Sequence, residues 1–273
     1  MTMKSVLVPL EMHDSVPAVL ATSMLIAKRF GSHVEGVAVR PNYAGFIAVD
    51  PIGVAAFPEL DEQIAEQARD CRRAFEDGFR EPTAIGCTRG WSQHEPLTES
   101  AVAGYGRVFD LTVLGRPANR DNGPRMSLFE TILFESGRPV LLAPKTAPRQ
   151  LGETILIAWN QSSETASATA LAMPLLEQAK RVIVMTVEGG IVPGPSGAAL
   201  TAQLKRNGIA AEERTTAPGR RSNGETILAE AETLGVDLII KGAYTQSRVR
   251  QMFFGGMTSH ILAAAEVPVF MTH

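Results

Sequence analysis

Short apolar runs alternate with longer amphipathic stretches along the whole chain. The runs are rich in Val, Leu and Ile and lack polar alternation, which is typical of strands buried on both faces of a parallel sheet. They occupy residues 5–10, 34–39, 110–114 and 139–143 in the first half of the chain. The second half repeats this plan, with strands predicted at residues 153–159, 181–187, 209–215, 236–241 and 267–271. The pattern predicts parallel strands that are connected by helices.

The stretches between these runs contain helix signals. Asp14 is the predicted N-cap of the first helix, and Gly31 is predicted to end it. Ser222 and Glu225 have the spacing of a capping box. In the second half, helices are predicted at about residues 163–178, 196–207, 223–234 and 256–265. Each half is therefore expected to be an α/β unit with right-handed crossovers between its strands.

The two halves repeat each other. The corresponding segments are residues 6–11 and 155–160, residues 109–115 and 236–242, and residues 138–142 and 267–271. Leu7 corresponds to Leu156 with an offset of 149 residues, whereas Asp110 corresponds to Asp237 with an offset of 127. The first half therefore contains 149 − 127 = 22 extra residues between its first and fourth strands.

The repeat predicts two tandem Rossmann-like domains, at residues 1–146 and 152–273, each with an open five-stranded parallel sheet flanked by helices. Residues 144–152 contain two prolines and a glycine and form the natural linker. The extra residues of the first domain are expected within about 42–80. In its later part, apolar residues recur at the spacing of one helix face, at Leu60, Ile64, Ala68, Cys71, Phe75 and Phe79.

Two features of this insertion, Cys71 and residues 42–58, each have more than one interpretation. Cys71 lies on the apolar helix face and is expected to be a buried thiol, with a reactive thiol as the alternative. Residues 42–58 are apolar without a clear period, so they could form a covering loop, a lid or a surface for a partner.

Composition excludes several classes of function. The net charge of −3, with no run of Lys or Arg, argues against nucleic acid as a partner. No segment has the roughly 18 consecutive apolar residues of a membrane span, and no leader is expected at the N-terminus. Two cysteines are too few for a disulfide framework and suit a reducing compartment, so a cytoplasmic location is predicted.

Ligands of open α/β sheets bind beyond the carboxyl ends of the strands, where the strand order reverses. In the second half these ends contain Ala158, Trp159 and Asn160 after the first strand, Val187 after the second, and Lys241 and Gly242 after the fourth. Gly255 and Gly256 precede the last helix, where backbone N–H groups without a nearby Cβ can contact a phosphate.

This pattern resembles the universal stress protein family in its tandem form. The resemblance rests on residues 153–160, 237–242, 247–258 and 267–269. The nucleotide-binding members of that family carry Gly, two residues, Gly, nine residues, Gly, and then Ser or Thr. Gly242 and Gly255 match this motif, whereas Thr245 replaces the second glycine and Gly256 replaces the hydroxyl residue. Thr258 follows two positions later.

The resemblance implies an adenine nucleotide, ATP, ADP or AMP, bound weakly in the second domain. Thr245 would strain a position that requires positive φ. Loss of a hydroxyl bond to a charged group at 256 costs about 1.5 to 3 kcal/mol. The predicted contacting residues are Ala158, Trp159, Asn160, Val187, Lys241, Gly242, Thr245, Gly255, Gly256, Met257 and Thr258. Asn160 stands where the family usually has a base-contacting Asp, and Lys241 either contacts phosphate or is solvated.

Four arginines of the second half have two interpretations, and the corresponding edge of the first half is not expected to bind a nucleotide. Arg220, Arg221, Arg248 and Arg250 either contact the ligand or form solvent-facing or interdomain ion pairs. In the first half, Pro9, Leu10 and Glu11 match the nucleotide-facing strand end. Because Glu11 is negative and Gly115 is not followed by paired glycines, no nucleotide is expected there.

The sequence disfavours an enzyme. It contains no P-loop, no Gly-x-Ser-x-Gly nucleophile and no His or Cys spacing typical of a metal site, so at most weak ATP hydrolysis is expected and the identity of any metal is open. Two functions remain: a cytoplasmic stress-response protein that binds a nucleotide, or a scaffold that acts through unknown protein partners without one. The family resemblance also implies an internal pseudo-dimer of the two halves. Strands 139–143 and 267–271 are the expected edge strands, and pairing with each other would cover both exposed edges. Further association as a homo-oligomer is left open.

Overall fold

The computed structural model of the protein describes residues 2–40, 57–80, 86–117, 123–243 and 256–273. These residues form ten strands and nine helices. The strands are β1 (Ser5–Leu10), β2 (His33–Ala38), β3 (Thr88–Trp91), β4 (Leu111–Gly115), β5 (Val140–Ala143), β6 (Thr154–Ala158), β7 (Arg181–Val187), β8 (Ala211–Thr216), β9 (Leu238–Gly242) and β10 (Val269–Thr272). The helices are α1 (Val16–Phe30), α2 (Phe57–Gly78), α3 (Glu99–Gly106), α4 (Met126–Glu135), α5 (Ser163–Leu171), α6 (Met173–Glu177), α7 (Gly197–Arg206), α8 (Asn223–Thr233) and α9 (Gly256–Ala264).

All ten strands belong to one continuous sheet with the order β3-β2-β1-β4-β5-β10-β9-β6-β7-β8. The neighbours within each half are parallel, and only β5 and β10 pair antiparallel, with Leu142 opposite Val269 and Val140 opposite Met271. The two edge strands therefore satisfy each other's backbone groups, which would otherwise be an exposed edge. The predicted fold, two five-stranded repeats packed as a pseudo-dimer, is confirmed.

Each face of this sheet is covered by one apolar cluster that extends through both halves. Leu141 and Phe270, on the strands that meet at the junction, belong to one cluster, and Leu142 and Met271 belong to the other. Successive residues of a strand point to opposite faces, so both clusters pass through the β5–β10 junction. The two repeats thus share their cores.

The aspartate of each repeat fastens the start of its first strand. Asp110 Oδ2 accepts hydrogen bonds from the backbone N of Lys4 at 2.7 Å and of Ser5 at 3.0 Å. Asp237 Oδ1 likewise accepts from the backbone N of Gly152 at 2.8 Å. These contacts lie at the amino ends of the strands, opposite the predicted ligand edge, so the repeated aspartates have a structural role.

Two arginines of the first half bind backbone carbonyls of the second. Arg29 Nη1 donates to Leu151 O at 2.9 Å, and its Nη2 donates to Gln178 O at 2.6 Å, just beyond the end of α6. Arg116 is buried and donates to Ala265 O, just after α9. Burial lowers the pKa of Arg116. Carbonyls at helix ends are unpaired within the helix, so these contacts satisfy them across the junction.

Several local predictions are confirmed or corrected. The capping box of Ser222 and Glu225 is present, and Gly31 ends α1 with a φ of +60°. The predicted N-cap at Asp14 is wrong by one residue, because Ser15 occupies that position. The predicted helix 163–178 is divided into α5 and α6, since Pro174 lacks a backbone N–H and begins a new helix.

The later part of the insertion forms α2, as predicted. Ile64, Cys71, Phe75 and Phe79 are buried along its apolar face, and Leu60 and Ala68 are partly buried. Phe75 lies 5.5 Å from the ring of Trp91 on β3. Burial raises the pKa of the Cys71 thiol to about 12, in agreement with a core thiol. Most of the segment 42–58, interpreted as a loop, lid or partner surface, lies outside the described residues.

Candidate functional site

The predicted ligand edge lies at the carboxyl ends of β6 and β9. These strands are neighbours, with Ile157 opposite Ile240, although β7 and β8 come between them in the chain. The strand order reverses here, and such a switch point leaves a crevice in an open sheet. The structure brings together Ala158, Trp159, Asn160, Lys241, Gly242 and Thr258, and it places Val187 at the end of the next strand, β7. Thr245, Gly255, Arg248 and Arg250 lie outside the described residues, as do the side chains at 256 and 257.

Lys241 is a buried cation at this edge. Its side chain lies on the same face of β9 as Ile239 and leaves the residue only 4% exposed. Nζ donates to Thr258 Oγ1 at 2.9 Å, in the first turn of α9, and to Gly242 O at 2.7 Å. Burial lowers the pKa of Lys241 to about 8, and no carboxylate among the described residues forms an ion pair with it.

Gly242 lies against the first turn of α5 on the other face of the sheet. A Cβ at this position would be 2.4 Å from the backbone N of Thr165 and 2.5 Å from the carbonyl carbon of Glu164. Any larger residue would displace the helix, so glycine is required by close packing. The amino ends of α5 and α9 thus meet the end of β9 from opposite sides.

The groups predicted to contact an adenine or ribose form hydrogen bonds within the protein. Asn160 Oδ1 accepts from Thr165 Oγ1 at 2.6 Å and from the backbone N of Ser162 at 3.3 Å. Trp159 is buried, and its indole Nε1 donates to Pro195 O at 2.9 Å. These contacts fasten the end of β6 to the first turn of α5 and to the loop that follows β7.

That loop, residues 188–196, covers the end of β6 and was missed by sequence reasoning. The backbone N of Val192 donates to Asn160 O at 3.0 Å, and a Cβ on Gly194 would lie 2.3 Å from Gln161 O. The signal for it was the cluster of glycines and prolines, which is typical of a turn-rich segment.

Arg220 and Arg221 are exposed, which agrees with the solvent-facing interpretation.

The corresponding edge of the first half has a different charge arrangement. Glu11, after β1, pairs with Arg125, the N-cap residue of α4, and Arg125 Nη1 lies 2.9 Å from Glu99 Oε1. A small cavity of about 10 Å³ beside them is lined by Gly115, His13 and apolar residues. Burial raises the pKa of Glu11, against the effect of Arg125, and burial lowers the pKa of His13 to about 4. Arg125 was not predicted from the sequence.

No set of three or more His, Cys, Asp or Glu side chains in the described part of the chain could hold a metal ion. Within the same residues, no helix is long and apolar enough to cross a membrane.

Comparison with known proteins identifies the second half. Its residues 153–273 match the Universal stress protein family. These residues belong to that family. The predicted family is thereby confirmed, and the universal stress protein domain includes every predicted site residue of the second half. No match was found among curated proteins.

The fold of the whole chain is similar to the folds of two solved structures of nearly the same extent. A universal stress protein from Archaeoglobus fulgidus DSM 4304 is similar with a TM-score of 0.73 and 16% identity, over 98% of this chain and 95% of that one. A functionally unknown protein from Pseudomonas aeruginosa PAO1 has a TM-score of 0.54 and 16% identity, over 99% of this chain and 92% of that one. At this level of identity the similarity shows the fold alone.

Proposed function

We propose that this chain is a cytoplasmic stress-response protein whose universal stress protein domain binds an adenine nucleotide weakly, chiefly through its phosphates. The observation that supports this most is the buried ammonium of Lys241, 2.9 Å from Thr258 in the first turn of α9 and without an ion pair among the described residues. No catalytic step is part of the proposal. The two buried cysteines, Cys71 and Cys87, suit a reducing compartment.

The electrostatics of this edge favour an anion. The amino end of a helix has a partial positive charge and unpaired N–H groups, and Lys241 lies against the first turn of α9. Two positive groups in a water-poor environment repel each other, and the penalty for burying the ammonium adds to this. A phosphate beside Lys241 would offset both this repulsion and the cost of burying the ammonium. This is the physical reason for an anionic ligand.

Base recognition is expected to contribute little. Asn160 Oδ1 is already bonded to Thr165 and Ser162, and the Trp159 indole is bonded to Pro195. A ligand that replaced these bonds would gain only their difference in free energy. The proposal therefore predicts that ATP, ADP and AMP differ in affinity mainly through the number of their phosphates.

Calorimetric titration tests the proposal. Wild-type protein would be titrated with ATP, ADP, AMP and inorganic phosphate, after analysis of the small molecules that denatured protein releases. Lys241→Met is expected to weaken ATP binding about 10-fold to 100-fold, since a hydrogen bond to a charged group contributes about 1.5 to 3 kcal/mol. Lys205→Met removes an exposed lysine of α7 and is the matched control. No released nucleotide and no heat at millimolar ATP would refute the proposal.

The alternative is a scaffold that acts through partner proteins and binds no nucleotide. The internal bonds of Asn160 and Trp159, and the loop that covers the end of β6, favour this alternative. It predicts that Thr245→Gly combined with Gly256→Ser creates ATP binding that the wild type lacks. Equal affinity of the wild type and the double variant would count against it.

A further inference from the structure

The loop between β7 and α7, residues 188–196, lies across the end of β6 and is hydrogen-bonded to it; we call this loop the strap. The backbone N of Val192 donates to Asn160 O at 3.0 Å. The indole Nε1 of Trp159 donates to Pro195 O at 2.9 Å. The first two residues after β6 therefore hold the middle and the end of the strap.

Gln161, the third residue after β6, is packed against the strap. A Cβ on Gly194 would lie 2.3 Å from Gln161 O, so only glycine allows this approach. Oriented with its nitrogen toward the strap, the side-chain amide of Gln161 donates to Gly194 O at 2.9 Å and to Val192 O at 3.1 Å. Gln161 has a φ of +70°, which residues with a side chain rarely adopt. The contacts with the strap offset the cost of this conformation.

The predicted base-contacting surface is withdrawn from solvent beneath the strap. Trp159 is 3% exposed, and Ala158 and Val187 are each 4% exposed. Asn160 Oδ1 is occupied as well, since it accepts from Thr165 Oγ1 at 2.6 Å. A base binds through apolar contact with its ring and through hydrogen bonds at its edge. Neither kind of contact is open to it while the strap is closed.

The strap lies on the side of the sheet away from Lys241. It leads into α7, whose Leu204 belongs to the same apolar cluster as Trp159. The side chain of Lys241 lies on the opposite face, with Ile239. Among the described residues the hydrogen bonds of Lys241 Nζ go to Thr258 and Gly242, so the strap leaves the proposed phosphate side uncovered.

The two ends of the strap are fastened independently of its middle. The backbone N of Glu188 donates to Thr216 O at 3.0 Å, which continues the pairing of β7 with β8. Ser196 caps α7 by accepting from the backbone N of Ala199 at 3.3 Å. Gly189, next to the first anchor, has a φ of +75°, which glycine adopts without strain. The middle is held by a few hydrogen bonds between neutral groups, each of which contributes modestly, so it can leave the end of β6 while both anchors stay in place.

We propose that the strap closes the base side of this ligand edge: the closed protein binds the phosphate chain of a nucleotide without contacting its base, and release of the strap admits the base. The proposal rests on the proposed function, a phosphate beside Lys241. The ligand class of the closed form is therefore an oligophosphate chain, with or without a nucleoside attached. A preference for a nucleotide over the bare chain arises only in the open form, where Trp159, Asn160 and Val187 are free to contact the base.

Two variants open the strap in different ways. Gly194→Ala introduces a Cβ that cannot fit against Gln161 O, and Trp159→Phe removes the indole N–H that binds Pro195 O but keeps an aromatic ring. Gly104→Ala, on α3, is the matched control, because a Cβ there has no neighbour within 4 Å. Circular dichroism and cooperative urea unfolding establish that each protein is folded, and either opening variant suffices if the other does not fold.

The first measurement, hydrogen exchange of the Val192 amide, reports the position of the strap without a ligand. Exchange should be at least about tenfold faster in the opening variants than in the wild type and the control. The second is calorimetric titration with ATP and with inorganic tripolyphosphate, which has the same chain of phosphates and no nucleoside. The ratio of the two affinities should shift toward ATP by about tenfold in the opening variants and stay unchanged in the control.

The outcomes separate the strap from the phosphate site. Faster exchange with an unchanged affinity ratio overturns the strap, since the base would then not have been excluded by it, but leaves the phosphate site standing. Unchanged exchange in both opening variants also overturns the strap, because Gly194 and the indole would then not hold it. If none of the four proteins binds either ligand, the proposed phosphate site is refuted, and the strap with it. ATP binding by the opening variants alone would support the strap and refute nucleotide binding by the wild type.

Discussion

Replacing Lys241 by methionine should change how the stability of the protein depends on pH. In the folded protein burial lowers the pKa of Lys241 from 10.5 to about 8. The unfolded chain therefore binds more protons than the folded chain between these two values. The free energy of unfolding rises with pH wherever the unfolded state binds more protons. Lys241 thus destabilises the protein fully below pH 8, and this effect disappears as pH rises through about 10.5.

The magnitude follows from the size of the shift. One pKa unit corresponds to about 1.4 kcal/mol, so a shift from 10.5 to about 8 corresponds to about 3 kcal/mol in total. Between pH 7 and pH 10 the wild type should gain about 2 kcal/mol relative to Lys241→Met, because the variant lacks the titrating group. The bonds of Nζ to Thr258 and Gly242 are lost in the variant at every pH and add a constant to the difference.

The assay is urea unfolding of both proteins at pH 7, 8, 9 and 10, followed by circular dichroism. The quantity of interest is the free energy of unfolding of the wild type minus that of the variant. It should increase with pH, whereas the corresponding difference for Lys205→Met, an exposed lysine, should stay constant. If the free-energy difference between wild type and Lys241→Met stays flat or falls with pH, then Lys241 is not a buried ammonium without an ion-pair partner.

Three further predictions concern packing and the junction. Arg116→Ala should lower the free energy of unfolding by about 2 kcal/mol, because it leaves Ala265 O unpaired across the junction; urea unfolding measures this, and an unchanged midpoint would contradict the role. Gly242→Ala should destabilise by about 1 to 3 kcal/mol, since its Cβ would lie 2.4 Å from Thr165 N, and a thermal midpoint equal to wild type would exclude that contact. The Cys71 thiol, whose pKa is raised to about 12, should react with a thiol reagent only in urea, and rapid modification of the native protein would show it to be accessible.

The sequence predicted the architecture well wherever strands were buried on both faces. The apolar runs and the repeat located nine of the ten strands, and β5 and β10, which were expected to be edge strands, pair with each other. β3 was missed because Thr88–Trp91 contains one large apolar residue and is half exposed. The break at Pro174 could have been found, since proline begins helices and disrupts their interiors.

The predicted site at the strand ends stays a prediction, and most side-chain contacts around it could not be read from the sequence. Burial of Lys241 could have been predicted, because strand alternation places it on the same face as buried Ile239. The pairing of Glu11 with Arg125 joins residues that are 114 positions apart, and no local pattern indicates it. The bond between Trp159 and Pro195 likewise depends on how a loop folds over a strand end. The boundaries 1–146 and 152–273 stay a prediction.

Proton uptake on nucleotide binding reports directly whether a phosphate binds beside Lys241. At pH 8 the ammonium of Lys241 is about half protonated, and a phosphate beside it would make protonation nearly complete. Calorimetric titration of ATP at pH 8, in buffers with different ionisation enthalpies, should therefore show an uptake of about half a proton per ATP bound by the wild type. Lys241→Met should show no uptake. Binding of ATP with no proton uptake by the wild type would contradict a phosphate site at Lys241.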